Sequence, residues 1–174
     1  MDRRIPKTEK QLVLVNTHFL DPGYVFFTHE NVTIRTVLGS CVAVTMWDRR
    51  LRCGGMNHFL YPIVTERFDA TPKYGNVAVA VLIKLLREAG SRPRDIEAQI
   101  IGGAFPRTER GTNIGLENVK VARRMLAKRD IAVMSEDIGG MLGRKVIFDI
   151  GTGEVAVLKV HRLRNVDWVR RIRE

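Results

Sequence analysis

The sequence is poor in the residues that build cross-linked or metal-bound folds. Cysteine occurs twice in 174 residues, at Cys41 and Cys53, and histidine four times, at His18, His29, His58 and His161. Two thiols do not make a disulfide framework, and these six residues lack the close paired spacing of a structural zinc site, so no metal is expected. Long apolar runs are missing as well. No stretch approaches roughly eighteen consecutive apolar residues, which argues against a membrane span. The start mixes Asp2, Arg3, Arg4, Lys7, Glu9 and Lys10 with no apolar run behind it to make a signal peptide. A cytoplasmic protein with free thiols is the expectation. A usable phosphate loop is absent too. Gly139-Gly140-Met141-Leu142-Gly143-Arg144-Lys145 has glycines and a lysine but no following hydroxyl residue to hold magnesium.

Negative charge is scarce against positive, with 29 Lys and Arg facing 19 Asp and Glu for a net +10. Residues 1–10 carry +2 of this and residues 161–174 carry +3, which leaves +5 for the body. Such an excess speeds encounters with any polyanion and selects none of them. No finger, aromatic stacking motif or helix-turn-helix pattern accompanies it, so no nucleic-acid partner is expected.

What is present reads as one domain. No repeat or low-complexity stretch interrupts it, and 174 residues with 45% hydrophobic content suffice for a single core. Tyr24–Thr28, Val32–Val37 and Cys41–Trp47 are rich in β-branched and aromatic residues and are separated by turn-compatible residues, which predicts strands. Asp48-Arg49-Arg50 is a polar reversal into Leu51–Leu60. That pattern predicts a hairpin with Gly54-Gly55 in its second arm, and it brings Cys41 near His58. A helix is predicted over Asn76–Ala89, with Val77, Val81, Leu82, Leu85 and Leu86 on one face and Gly90 and Pro93 ending it. A second is predicted over Gly115–Arg129, with a stripe of Leu116, Val119, Ala122 and Leu126, a basic face of Lys120, Arg123, Arg124 and Lys128, and Asn113 or Thr112 as its cap. Further strands are predicted at Ala98–Ile101, Ile131–Met134, Lys145–Ile150 and Glu154–Val160, the last two joined by Gly151-Thr152-Gly153. The fold class is therefore α+β, with mixed or antiparallel sheets and helices packed on them.

Chemistry concentrates at Thr36-Val37-Leu38-Gly39-Ser40-Cys41. Small residues before a cysteine at a strand start leave its sulfur accessible and the nearby amides free to meet a substrate. A free thiol is only a few per cent ionised at neutral pH, so a nucleophilic Cys41 needs an imidazole, and His58 lies seventeen positions on. Spacing alone favours the plainer reading, a small buried cysteine and a histidine that satisfies a backbone group. Cys53 lacks the small preceding turn and reads as packing. His18 reads as a contact near the Pro22-Gly23 turn, and Asn57 as pointing away from His58 on a regular strand. Gly102-Gly103 reads as a tight turn or a close backbone approach.

The motif around Cys41 and the block Gly54-Gly55-Met56-Asn57-His58-Phe59-Leu60-Tyr61-Pro62 together resemble the chemoreceptor glutamine deamidase family, CheD. The resemblance continues through His18-Phe19-Leu20-Asp21-Pro22-Gly23, Ile101-Gly102-Gly103-Ala104, Asn113-Ile114-Gly115-Leu116-Glu117-Asn118 and Glu136-Asp137-Ile138-Gly139-Gly140-Met141-Leu142-Gly143-Arg144-Lys145-Val146. It spans residues 12 to 160, which we take as the deamidase domain between a flexible basic segment (1–11) and a basic tail (161–174). The resemblance implies a fold of mixed β-sheets packed in layers with outer helices, similar to the catalytic domain of a glutamine-deamidating toxin. It implies Cys41 as nucleophile, His58 as base and a threonine as third member. Thr36 is the choice for that threonine, with Arg35, six residues before the cysteine, as the alternative position. Ser40 and Gly39 are expected to present oxyanion-binding or substrate-binding amides. No cofactor is expected, since thiolate, imidazole and water suffice. Methyl-accepting chemotaxis receptors are the implied substrates, and a CheC-type phosphatase is an implied second partner. A docking module that regulates such a phosphatase with little catalysis of its own, or a cysteine hydrolase of small amides, remain alternatives.

Overall fold

Strand and helix follow the local patterns closely, and what the chain adds is the way they stack. The computed structural model describes residues 16–105 and 111–163, so the segment 1–11 and the tail beyond Leu163 lie outside the described residues. Among the described residues there are nine strands: β1 Thr17–Phe19, β2 Tyr24–Thr28, β3 Thr33–Leu38, β4 Val42–Asp48, β5 Cys53–Phe59, β6 Ile96–Gly102, β7 Ala132–Ile138, β8 Gly143–Asp149 and β9 Val155–Val160. Two α-helices, α1 Gly75–Glu88 and α2 Ile114–Ala127, accompany them.

The strands form two mixed sheets, one ordered β1-β3-β8-β9 and the other β2-β5-β4-β6-β7. Pairing is parallel between β1 and β3 and between β6 and β7, and antiparallel elsewhere. The result is the α+β class with mixed sheets in layers.

Side-chain alternation along β4 and β5 builds two cores from one sheet. Val42, Val44, Met46, Cys53 and Phe59 point to the helices and pack with Ala78, Val79, Leu82 and Leu86 of α1 and Val119, Ala122 and Leu126 of α2. Ala43 and Met56 point the other way and pack with Ile34, Leu38, Val146 and Phe148 of the four-stranded sheet. Three layers follow: a four-stranded sheet, a five-stranded sheet and a pair of helices.

The predicted hairpin is present, and its turn has a clear cause. Asp48 Oδ1 accepts from the amides of Arg50 and Leu51, both at 2.8 Å, and Arg52 takes a left-handed φ of 53°. The β4–β5 register then runs unbroken from Asp48↔Cys53 to Val42↔Phe59 and sets Ala43 opposite His58. Gly55 is a point of close approach, where an added Cβ would sit 2.2 Å from the Phe26 carbonyl and 2.8 Å from Leu82 of α1.

Both helices form where expected, with altered faces. On α1 the buried positions are Gly75, Ala78, Val79, Leu82, Ile83 and Leu86, so only Leu82 and Leu86 of the predicted stripe are fully buried. That helix is apolar nearly all round, which leaves its periodicity unable to fix the rotation. On α2, Val119, Ala122 and Leu126 are buried as predicted, but Leu116 is 44% exposed and buried Asn118 joins the inner face instead. Asn113 is the cap, its Oδ1 accepting from the Leu116 amide at 2.9 Å. The strand β1 was not anticipated, since a three-residue segment has no periodicity of its own.

Candidate active site

Each of the two sheets contributes one part of the site. His58 on β5 and Ala43 on β4 face each other on the side of the five-stranded sheet that looks toward its neighbour. Cys41 immediately precedes β4, lies half-buried, and packs into the same inter-sheet cluster as Ala43. It therefore occupies a diagonal position to His58 on one face, the arrangement in which side chains two positions apart across a strand pair approach each other.

The opposing sheet supplies Thr36. Residues alternate along β3, so Thr36 is buried toward the other sheet while Arg35 is exposed. The Thr36 hydroxyl lies 2.8 Å from His58 Nδ1 and donates to the Leu20 carbonyl at 2.8 Å. A threonine hydroxyl has one proton, and the Leu20 oxygen takes it. The contact with His58 must then run the other way, from Nδ1–H to the threonine oxygen, which fixes the tautomer that leaves Nε2 with a lone pair. His58 Nε2 is buried and without a protein partner.

Electrostatics make the resting pair neutral. Burial lowers the His58 pKa from 6.5 to about 4, partly opposed by the Leu20 backbone. Burial pushes the Cys41 thiol from 9.0 up to about 11, with its own backbone amide acting in the lowering direction. At neutral pH the site therefore holds a thiol beside an uncharged imidazole.

The turn that carries Cys41 is held by its carbonyls. Gly39 O accepts from the Ala104 amide at 2.9 Å, Cys41 O from the Gly103 amide at 2.8 Å, and Ser40 O from Asn118 Nδ2 at 3.3 Å. A trans peptide points its N–H opposite to its C=O, so these bonds direct the amides of Ser40 and Cys41 away from Ala104 and α2. Gly102 permits this approach, with a φ of 111° and an added Cβ only 2.3 Å from the Cys41 carbonyl. The glycine pair is the close backbone approach that its sequence predicted.

A family model described as CheD chemotactic sensory transduction matches residues 64–159, over half of the chain. The chain belongs to the CheD family. A protein of Sulfurimonas denitrificans named "Probable chemoreceptor glutamine deamidase CheD" is 34% identical over 83% of this chain and 94% of its own length. One of the same name in Trichlorobacter lovleyi is 40% identical over 81% of this chain and 89% of its own length. A relative in Anaeromyxobacter dehalogenans, "Probable chemoreceptor glutamine deamidase CheD 1", is 41% identical over 78% and 80%. The solved hypothetical protein YfiH of Bacillus licheniformis is similar over 65% of this chain and 49% of that one, with a TM-score of 0.47 and 15% identity.

In this CheD family member the structure brings Cys41, His58 and Thr36 to one inter-sheet face and puts Gly39 and Ser40 in the turn beside them. It does not bring Arg35 or Cys53 there. Cys53 is fully buried on the helix side of β5, where burial and the nearby Asp48 carboxylate raise its pKa. Asn57 also faces the helices, its Oδ1 accepting from the Val44 amide at 2.9 Å. His18 stacks on Phe26 with ring centroids 3.8 Å apart. Asn118 was missed by sequence reasoning, although it closes one of the blocks through which the family resemblance was drawn. Beside the turn, Gly103, Phe105, Leu116, Val119, Ile138 and Met141 line a groove of about 300 Å³. No group of His, Cys, Asp and Glu among the described residues is arranged to hold a metal, and no described helix is long and apolar enough to cross a membrane.

Proposed function

We propose that the chain is a cysteine-dependent protein-glutamine deamidase acting on methyl-accepting chemotaxis receptors. The observation that carries this reading is the His58 imidazole, tied at Nδ1 to Thr36 and bare at Nε2 on the face it shares with Cys41. The names of the relatives support the substrate.

The reaction follows from the parts. His58 Nε2 takes the Cys41 proton as Sγ attacks the carboxamide carbon, and the resulting oxyanion meets the amides of Ser40 and Cys41. Preorganised donors of this kind are worth about 3–4 kcal/mol in the transition state. His58 Nε2–H then protonates the departing nitrogen, which leaves as ammonia, and a thioester remains on Cys41. Water attacks that thioester as His58 takes its proton, glutamate is released, and the thiol is restored. Thr36 orients the imidazole throughout. No metal or organic cofactor has a role in these steps.

The test is to incubate the protein with cytoplasmic fragments of its own receptors and follow both ammonia release and the mass change of replacing an amide –NH2 by –OH. Cys41→Ala and His58→Ala are expected to abolish conversion, and Cys53→Ala to retain it. Equal loss in a folded Cys53→Ala protein would move the nucleophile to the other thiol. We place this activity in the cytoplasm and in the span 12–160. Association with a CheC-type phosphatase is a separate proposal from the family resemblance, tested by co-purification of the two proteins and sunk by its failure at micromolar concentrations.

A further inference from the structure

Asn118 is fully buried on α2, yet it is a polar residue with only half of its amide satisfied. Its Nδ2 donates to the Leu60 carbonyl at 2.9 Å and to the Ser40 carbonyl at 3.3 Å. Those two oxygens belong to separate segments. Ser40 immediately precedes Cys41, and Leu60 lies two residues beyond His58. A flipped amide would press its oxygen against two carbonyl oxygens, so the orientation follows from the acceptors. The amide oxygen Oδ1 has no protein partner, and leaving it so is unfavourable in a buried place. Leucine would fill the position without that penalty, which points to the two donated bonds as what asparagine contributes.

The Ser40 bond differs in kind from its neighbours. Gly39 O and Cys41 O are held by the backbone amides of Ala104 and Gly103, whereas Ser40 O is held by a side chain. One NH2 group therefore joins the turn with the thiol to the end of the strand with the imidazole.

We propose that Asn118 is a positioning residue that clamps the Cys41 turn to the His58 strand, holding Cys41 in its diagonal place to His58 and the Ser40 and Cys41 amides aimed at the substrate. The substrate clause rests on the deamidase reading; the clamp itself does not. Releasing the clamp loosens the turn, so the thiol becomes more accessible to a small reagent while its work on an amide is lost. A residue that merely fills the core would not move these two readouts in opposite directions.

The experiment compares wild type with Asn118→Ala and Asn118→Ser, the latter keeping a single donor. Receptor-fragment deamidation should lose roughly 10- to 100-fold in kcat with KM little changed. Alkylation of Cys41 by iodoacetamide, followed from pH 7 upward, should become faster, by as much as about a hundredfold if the thiol relaxes from about 11 to 9.0. Asn118→Ser should lie between. Folded variants whose alkylation rate and pH midpoint match wild type would overturn the clamp, as would failure of both variants to fold, which would make Asn118 a general core residue. A wild-type protein that leaves receptor glutamines untouched would instead sink the deamidase reading, with the alkylation arm still deciding the clamp.

Discussion

His58 gains its direction from a single proton count. Because Thr36 gives its only hydroxyl proton to Leu20, the imidazole must donate from Nδ1, and Nε2 is left as the acceptor, buried and without a protein partner. Replacing Thr36 by valine keeps the shape, removes the acceptor for Nδ1–H and frees the wrong tautomer. Deamidation should fall roughly tenfold or more, with Arg35→Ala costing less because that side chain is exposed on the other face. The reverse ranking in steady-state kinetics would move the third position to Arg35. A second prediction concerns pH. Turnover needs His58 neutral, so it is retained above the imidazole pKa and lost as pH falls through about 4. It also needs the Cys41 proton, which His58 must pass to ammonia, so it is lost as pH rises through about 11. The kcat/KM profile should be flat from roughly pH 5 to 9, and Cys41 alkylation should climb steadily across that range. A plateau in alkylation near neutrality would mean a preformed thiolate–imidazolium pair.

At the scale of elements, the site depends on how closely β6 approaches the Cys41 turn. Gly102 has both a left-handed φ of 111° and a Cβ position 2.3 Å from the Cys41 carbonyl, so Gly102→Ala combines backbone strain with a clash against main chain. We expect about 1–3 kcal/mol of lost stability by denaturant unfolding, with activity falling in the protein that remains folded. Gly90→Ala is the control, since Gly90 shares a positive φ of 90° but has open space around it. It should lose stability from strain alone and keep its activity; equal activity loss at both positions would remove the special role of the β6 approach. The elements themselves were largely legible, because strand alternation, helical periodicity and turn residues are local. The hairpin that makes Cys41 and His58 neighbours could be read from Asp48-Arg49-Arg50 and the strands around it. The division of the strands into two sheets could not, since it rests on contacts such as Thr36 with His58 that cross layers. Nor could Asn118 be recognised, because an asparagine on a helix shows its purpose only when the carbonyls of Ser40 and Leu60 are beside it. The rotation of α1 was hidden by a helix that is apolar on most of its circumference.

For the whole molecule, the excess positive charge needs a smaller set of carriers than the sequence suggested. On α2, Arg123 is held by Glu136, with Nε 2.8 Å from Oε1, and Lys120 pairs with Glu117 at 2.8 Å. Arg124 and Lys128 are therefore the cleaner probes of steering toward an acidic partner. Reversing both to glutamate should raise KM for receptor fragments about threefold or more at 0.1 M salt. The difference should shrink toward 1 M, as the Debye length falls from about 10 Å to about 3 Å. Cys41 alkylation by a neutral reagent should not change, and a KM indifferent to both salt and reversal would place recognition at the Cys41 mouth alone. The central claim is that a receptor glutamine passes through a thioester on Cys41, and hydroxylamine tests it most directly because it intercepts thioesters before water does. With wild-type protein and receptor fragments, hydroxylamine should convert target glutamines to hydroxamates in place of glutamates, and Cys41→Ala should yield neither. Glutamate formed by wild type with no hydroxamate, or formed equally by Cys41→Ala, would contradict the account.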